Sequence, residues 1–596
     1  MQMNRPHRNI HREKVTIGDW QTTLKRLGHY LAASRMRLVT VFLLTLVTTV
    51  VTIVGTRING IVIDRYISHD LLHTLLVVCL AMGIVYLLAS VCVYFQNAIM
   101  IKVAQATAAA IRHDVFANLQ HLPMRYFDTH DNGDVMSRLT NDVDNINTAL
   151  MQTFIQLFTG IISIVGMGAA MLWLSPLLFA ITLLATLATY LFSRGIAKLT
   201  QKAFMTQQTT LGSLNTQIEE SVSGKQVVQL FDHHDATMAI FDQTNRDYTQ
   251  AAFRAQALSS IIGPFNNMTN NVAYLLITAV GAVAILGHHG SITIGIIFTF
   301  LIYLRNFTGP INNLLDLINT LQLSLVSAQR VFALIDEVPE RDAPQARLIT
   351  TTHGRVQFDH VSFGYESNRR ILNDINLTAN PGEVVALVGP TGAGKTTIMN
   401  LLTNLYPLES GRVLLDGVDV TTIRLAALRR MITVVQQESY LFSLSIKENI
   451  RLGRPDATDD AVIAAAKAAN AHTFITQLPD GYETQLTENA STLSQGQRQL
   501  LSIARAFITQ APILVLDEAT AAIDSNTEQH VQEAMSRLMQ GKTSFVIAHR
   551  LATIQAADQI LVIDGGRVVE AGTHQQLLDR GGEYATLYNS QFDFQV

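Results

Sequence analysis

The stretch Gly389-Pro390-Thr391-Gly392-Ala393-Gly394-Lys395-Thr396 follows the pattern Gly-x4-Gly-Lys-Thr. It sits between Glu383–Val388, which reads as a buried strand, and Lys395–Leu405, which reads as a helix. In that setting the backbone N–H groups of Gly392–Thr396 and the positive end of the helix cradle phosphate oxygens. Lys395 would reach the β- and γ-oxygens, the Thr396 hydroxyl would ligate Mg²⁺, and Thr397 would be a further phosphate donor. Further along, Leu493-Ser494-Gln495-Gly496-Gln497 opens a second helix. After it comes the apolar strand Ile513-Leu514-Val515-Leu516, which ends in Asp517-Glu518.

The rest of the chain differs in character. Only 15% of its 596 residues are charged, against about 25% in ordinary soluble proteins, and the mean hydropathy is +0.24. The deficit is concentrated before residue 325. A net charge of −4 gives no polyanion-binding surface, so nucleic acid is not expected as a partner. Cys79 and Cys92 share one apolar segment and read as two buried small hydrophobes. Met1–Lys14 is basic but lacks the apolar core of a secretory signal, and reads as a cytoplasmic tail.

Six stretches are apolar and long enough to cross a bilayer: Leu38–Ile63, Leu72–Ala98, Met151–Leu174, Pro176–Ile196, Leu258–Leu286 and Ile292–Leu314. Ile17–Ser34 before them fits an amphipathic helix at the interface. The second-to-third and fourth-to-fifth connections are long and carry most of the basic residues, including Lys102, Arg112, Arg138, Lys198, Lys202 and Arg246. By the positive-inside rule these connections and both termini are cytoplasmic. They read as helical extensions of the spans, turning near His121-Leu122-Pro123 to Gly133 and near Ser223-Gly224-Lys225 to Phe231. Arg305, Asn306, Asn312, Asn313 and Asp316, with Asn266, Asn267, Asn270 and Asn271, are expected to line a polar path. The alternative is helix-to-helix hydrogen bonding or an Arg305–Asp316 pair. His233-His234-Asp235 and His288-His289 read as solvated loops rather than metal sites.

A phosphate loop, a Leu-Ser-x-Gly-Gln helix start and an Asp-Glu strand end, in that order, resemble the ABC ATPases. Behind six apolar spans with long cytoplasmic reaches, they make the chain similar to the half-transporters of the ABC exporter family. The resemblance implies a membrane all-α domain of six long transmembrane helices followed by an α/β P-loop ABC ATPase domain. The expected division is a tail and interfacial helix over 1–35, a transmembrane domain over 36–325, a linker over 326–353 and an ATPase over 354–596. Residue by residue, it implies that Tyr365 stacks on adenine and that Gln437 touches Mg²⁺ and the attacking water. It makes Asp517 the Mg²⁺-side carboxylate and Glu518 the general base. Asp524 falls in the loop between protomers, and His549 contacts the γ-phosphate. Ser494, Gln495, Gly496 and Gln497 would face a γ-phosphate held by a second ATPase domain, with Ser494 and Gly496 presenting N–H groups.

With one phosphate loop and one six-helix block, such a protein works as a pair sandwiching two ATP. Two departures bear on the pairing. Gln495 replaces the usual Gly at the third position of Leu-Ser-Gly-Gly-Gln, and Thr487-Glu488-Asn489-Ala490 replaces Gly-Glu-Arg/Asn-Gly. Both resemble the catalytically complete subunit of bacterial heterodimeric exporters, which favours a heterodimer over a homodimer. The implied function is ATP-driven, Mg²⁺-dependent export of hydrophobic or amphipathic small molecules, drug-like compounds or lipids, across the plasma membrane. A homodimeric lipid flippase and an ATP-gated channel or regulatory subunit are the alternatives.

Overall fold

A computed structural model describes residues 20–67, 72–287, 292–366, 369–437, 439–487, 490, 492–517, 525–548 and 551–592. Of residues 312, 314–316, 318–319, 525–526, 551–552 and 590–592 it describes the backbone only. The described residues form two compact units.

The first unit covers residues 20–119 and 133–336 and is all helix. Its elements are α1 (Trp20–Ala32), α2 (Arg35–Val62), α3 (Leu72–Leu119), α5 (Asn132–Ser137), α6 (Val143–Leu174), α7 (Pro176–Ser223), α8 (Lys225–Leu230), α9 (His234–Ser259), α10 (Ile262–Leu286) and α11 (Ile294–Asp336). The short α4 (Met124–Thr129) belongs to the second unit. Six candidate membrane-spanning helices are present among the described residues, as the apolar runs require. α3 continues from Ala98 to Leu119 and α7 from Ile196 to Ser223, each extension being roughly 30–40 Å of helix. α4 and α8 form the turns at their tips.

Three details depart from the sequence reading. The fifth span is interrupted at Ser260-Ile261, between α9 and α10, because the Pro264 ring has no N–H and crowds the carbonyl four residues earlier. α11 runs to Asp336, into the stretch 326–353 read as linker. Val326–Asp336 keeps an apolar face, and Ala328, Val331, Phe332 and Leu334 are buried. Cys79 is exposed and Cys92 partly so, because the apolar outer face of α3 in a membrane bundle meets lipid rather than a protein core.

Packing inside the bundle relies on small residues. α2 buries Thr45, Thr49, Thr56 and Gly60, and several of its threonines return their hydroxyls to the carbonyl four residues back, as Thr45 does to Val41 at 2.8 Å. At Gly60 the helix meets Gly295 and Thr299 of α11 with no room for a Cβ. Asp64 caps the start of α11, accepting from the Gly295 N–H at 2.8 Å and the Thr293 hydroxyl at 2.6 Å. The core there is Met167, Met171, Ile277, Phe300, Tyr303, Leu304 and Phe307. At the opposite end, Arg330 pairs with Asp134 and Asp142. Arg26 of α1 grips Asp336 at 2.5 and 2.7 Å while lying 4.5 Å over the Phe332 ring.

The second unit covers 120–132 and 337–592. Its strands are β1 (Val356–Phe363), β2 (Leu372–Ala379), β3 (Val384–Val388), β4 (Ser410–Leu415), β5 (Val418–Asp419), β6 (Ile432–Val435), β7 (Ile513–Asp517), β8 (Thr543–Ile547), β9 (Gln559–Asp564) and β10 (Arg567–Gly572). An antiparallel sheet has the order β2-β1-β4-β5; the larger sheet is β10-β9-β3-β8-β7-β6, parallel except for the β10 edge. Helices α12 (Lys395–Leu402), α13 (Leu425–Met431), α14 (Ile446–Arg451), α15 (Asp459–Ala468), α16 (His472–Gln477) and α17 (Gln495–Thr509) connect them. Both faces of the parallel sheet are covered, which explains near-continuous apolar strands such as Ile513–Leu516.

Replacing Gly60 by Val should destabilise the bundle by about 1–3 kcal/mol, the usual cost of overpacking. The expected result is a lower midpoint in a thermal unfolding scan of the purified protein; an unchanged midpoint would contradict the close approach of α2 and α11.

Candidate functional site

Parallel pairing decides what stands together. Leu387 of β3, Ile547 of β8 and Asp517 of β7 lie in one register row, and Val435 of β6 is opposite Leu516. The residues that follow these strands therefore emerge at a single carboxyl edge, where ligands of open α/β sheets bind. The loop Gly389–Gly394, Gln437 and Asp517 share that edge. Glu518, Asp524 and His549 lie outside the described residues, as do Glu488 and Asn489 of the departing loop and His288-His289.

The loop is built for glycine at two points. Gly389 has φ +152°, and a Cβ there would run into the Ile563 carbonyl; Gly394, at φ +106°, would place one 2.5 Å from a Leu372 methyl. The chain then turns into α12. Pro390, Thr391 and Gly392 are on the accessible side of the loop, with Ala393 buried behind them. Lys395 is almost fully buried, and its ammonium folds back to donate to the carbonyl oxygens of Gly389 at 2.8 Å and Pro390 at 2.9 Å. Burial draws its pKa below the ordinary lysine value, and the Asp517 charge opposes that shift. Thr396 is exposed at the start of α12, whereas Thr397 is buried and its hydroxyl accepts from Tyr365 Oη at 3.4 Å. The Thr397 side chain thus faces Tyr365.

Tyr365 is held by four neighbours, Thr397 among them. Its Oη also accepts from Asn400 Nδ2 at 3.2 Å, and its ring stands edge-on to Phe363 (4.9 Å) and Tyr406 (5.0 Å). Tyr406 in turn donates its hydroxyl to Asp128 of α4 at 2.6 Å. Burial, followed by that hydrogen bond, pushes the Tyr406 phenol above its ordinary range, so it remains a neutral donor. The backbone adds a second tie, Glu340 N–H to the His121 carbonyl at 2.6 Å. A continuous set of contacts therefore runs from α4 through Tyr406 and Tyr365 to the helix that carries the phosphate loop.

Gln437 is exposed just beyond β6, and the loop after it is fixed by residues the sequence reading passed over. The fully buried Asn449 bonds both the N–H and the C=O of Phe442, each at 2.9 Å. Arg505 of α17 donates to the Tyr440 carbonyl at 3.1 Å and to Asn449 Oδ1 and O. Their only sequence signal is polarity inside otherwise apolar helical faces.

The helix start at Ser494 is a complete capping box. Ser494 Oγ accepts the Gln497 N–H at 3.2 Å, and Gln497 Oε1 accepts the Ser494 N–H at 3.0 Å. The Ser494 N–H, expected to face phosphate, is thus committed within the box in this structure. The N–H groups of Gln495 and Gly496 are the first-turn donors without an intrahelical acceptor. Gln495 is exposed, and Gly496 is buried. Ala490, where the resembling pattern has Gly, sits buried at φ +46°, a conformation glycine adopts without strain. Among the described residues no cluster of metal-ligating side chains is found, and His234 and Asp235 begin α9.

Comparison with known proteins agrees with this geometry. Residues 38–311 match the family model for the ABC transporter transmembrane region, and 372–521 match the ABC transporter model. The uncharacterized ABC transporter ATP-binding protein YfiC of Bacillus subtilis is 41% identical over 583 residues, covering 98% of this chain and 96% of that one. A Mycobacterium bovis fatty acid ABC transporter ATP-binding/permease protein is 41% identical over 499 residues, covering 84% of this chain and 79% of its own. The solved structure of a bacterial Atm1-family ABC exporter with ATP bound aligns with a TM-score of 0.75 at 30% identity, covering 94% of this chain and 99% of that one. Six membrane helices, a phosphate loop at a parallel-sheet edge and relatives that match almost end to end lead to one conclusion: the chain belongs to the ABC transporter family, with the exporter fold and an ATPase that powers transport.

Proposed function

We propose that the chain pairs with a second ABC half-transporter, a different subunit in preference to a second copy, and exports amphipathic small molecules or lipids across the plasma membrane, its ATPase domain and termini in the cytoplasm. The observation that supports the ATP-driven part of this reading is the register row Leu387–Ile547–Asp517, with β6 beside β7, because the segments after these strands emerge at one sheet edge. The Mycobacterium bovis relative is a fatty acid ABC transporter, which supports an amphipathic substrate. Gln495 and the Thr487-Glu488-Asn489-Ala490 loop, which resemble the catalytically complete subunit of heterodimeric exporters, support the unlike pair.

In this mechanism Lys395 leaves the Gly389 and Pro390 carbonyls for the β- and γ-phosphate oxygens of ATP. Tyr365 stacks on the adenine. The Gln495 and Gly496 N–H groups and the α17 dipole meet the γ-phosphate held by the partner. Thr396, Asp517 and Gln437 offer the hard oxygen donors that Mg²⁺ takes; when bound, Mg²⁺ neutralises charge on the phosphate oxygens. Glu518 accepts the proton of the attacking water or orients it, and His549 contacts the γ-phosphate. Closure is passed to the bundle through α4, by way of Asp128 and Tyr406, and through α8. For ATP to act as the switch it must favour the closed pair by several kcal/mol.

Inside-out vesicles test the reading: ATP-dependent accumulation of an amphiphile is expected, and passive flux with ATP merely bound would indicate a channel. Glu518→Gln should keep ATP binding while turnover falls by about 10²–10⁴-fold, the usual worth of a general base; near-normal turnover would remove that role. Tyr406→Phe should keep nucleotide affinity within about twofold, yet lose substrate-stimulated turnover, because a hydrogen bond to a charged group worth about 1.5–3 kcal/mol is gone. Unchanged stimulation in this variant would remove Tyr406 from the coupling route.

A further inference from the structure

The six apolar stretches contain three arginines, Arg57, Arg194 and Arg305, and neither aspartate nor glutamate. Cations without counter-charges at membrane depth are costly, and where they persist they face water, a partner or an anion. Arg57 is the informative one. It lies on α2, one turn outward from Ile53 and nearly one turn inward from Gly60. The Ile53 carbonyl accepts from Tyr303 Oη at 2.7 Å, and at Gly60 the helix touches Gly295 and Thr299. Arg57 therefore stands where α2 and α11 are most closely apposed, and it is partly buried. Its Nη1 is shielded from solvent and has no hydrogen-bond partner among the described residues.

No carboxylate within the chain's spans can answer that charge. Asp64 lies about 10 Å further along the helix axis, and both its oxygens are taken by Thr293 and Gly295. One terminal nitrogen of the guanidinium is thus shielded and unpaired while the side chain keeps part of its exposure, and a charge held away from water without a partner is unfavourable, so the site is suited to an anion that arrives and leaves. Because Ile53 is level with Tyr303, Arg305 stands about 9 Å inward of Arg57 along the antiparallel pair, and its side chain is exposed. The two arginines thus form a graded pair of positive charges along the direction of transport.

We propose that Arg57 is the head-group subsite for an anionic amphiphile, pairing its guanidinium with a carboxylate or phosphate monoester while the apolar tail lies along the neighbouring helices. Arg305 holds the same head group at an earlier point on the path. This rests on the export reading above and narrows it: amphiphiles with one anionic head are preferred, and neutral or cationic amphiphiles of equal chain length bind less well.

The test uses the complete complex in phosphatidylcholine nanodiscs without ATP, and reads binding directly. The fluorescent acid cis-parinarate is compared with its alcohol, and dodecanoate, dodecyl phosphate, dodecanol and dodecyltrimethylammonium compete for the site. The two anionic competitors separate carboxylate from phosphate. We expect the acid to bind about tenfold more tightly than the alcohol, which corresponds to about 1.4 kcal/mol. Arg57→Gln and Arg57→Ala should abolish that preference with the alcohol still bound, and Arg57→Lys should retain part of it. Equal affinity of the wild type for acid and alcohol, a preference that survives in both neutral variants, or no binding of either probe would overturn the proposal. Export itself is judged separately, by ATP-driven accumulation of a neutral amphiphile in inside-out vesicles, which can succeed when the anion preference is absent.

Discussion

A helix leaves the N–H groups of its first turn without acceptors, and this chain places two such helix starts, at Lys395 and Gln495, where they need an oxygen-rich partner. The first opens directly from β3, so its loop is fixed by the parallel sheet. The second has satisfied the Ser494 and Gln497 N–H groups by its capping box, leaving Gln495 and Gly496 for an external acceptor. Both ends attract phosphate for the same electrostatic reason, and the proposed pairing of subunits follows from giving each helix start one side of the same nucleotide. Lys395, buried beside this loop, donates its ammonium hydrogens to the Gly389 and Pro390 carbonyls.

The next link is mechanical. Asp128 and Tyr406 are far apart in sequence yet share a 2.6 Å hydrogen bond. Tyr406 packs against Tyr365, and Tyr365 touches Thr397 and Asn400 of α12. The phosphate-loop helix and the α4 segment are therefore neighbours in one compact unit. At the other end of this logic, Arg330 with Asp134 and Asp142, and Arg26 with Asp336, brace the helices of the first unit around the end of α11.

Much of this was legible in the sequence, for physical reasons that can be named. Six spans stood out because hydrocarbon demands long apolar helices, and the phosphate loop because few residues besides glycine fit Gly389 and Gly394. The break at Ser260-Ile261 escaped notice because hydropathy is blind to Pro264, although its missing N–H was there to be read. The reach of α11 to Asp336 was missed because a buried helical face in Val326–Asp336 resembles ordinary linker composition. Tyr406, Asp128, Asn449 and Arg505 were invisible because their partners are set by folding, not by neighbouring residues. Arg57 was hidden by averaging, one cation inside a strongly apolar run.

The proposed transport cycle depends most on ATP drawing two ATPase domains together. The direct measurement is the distance between spin labels, one on each ATPase domain of the complete complex in lipid, with and without ATP and Mg²⁺. A broad, long distribution without nucleotide is expected to collapse into a single shorter one when ATP and Mg²⁺ are added to the Glu518→Gln protein. A distribution that stays the same under saturating nucleotide would contradict it.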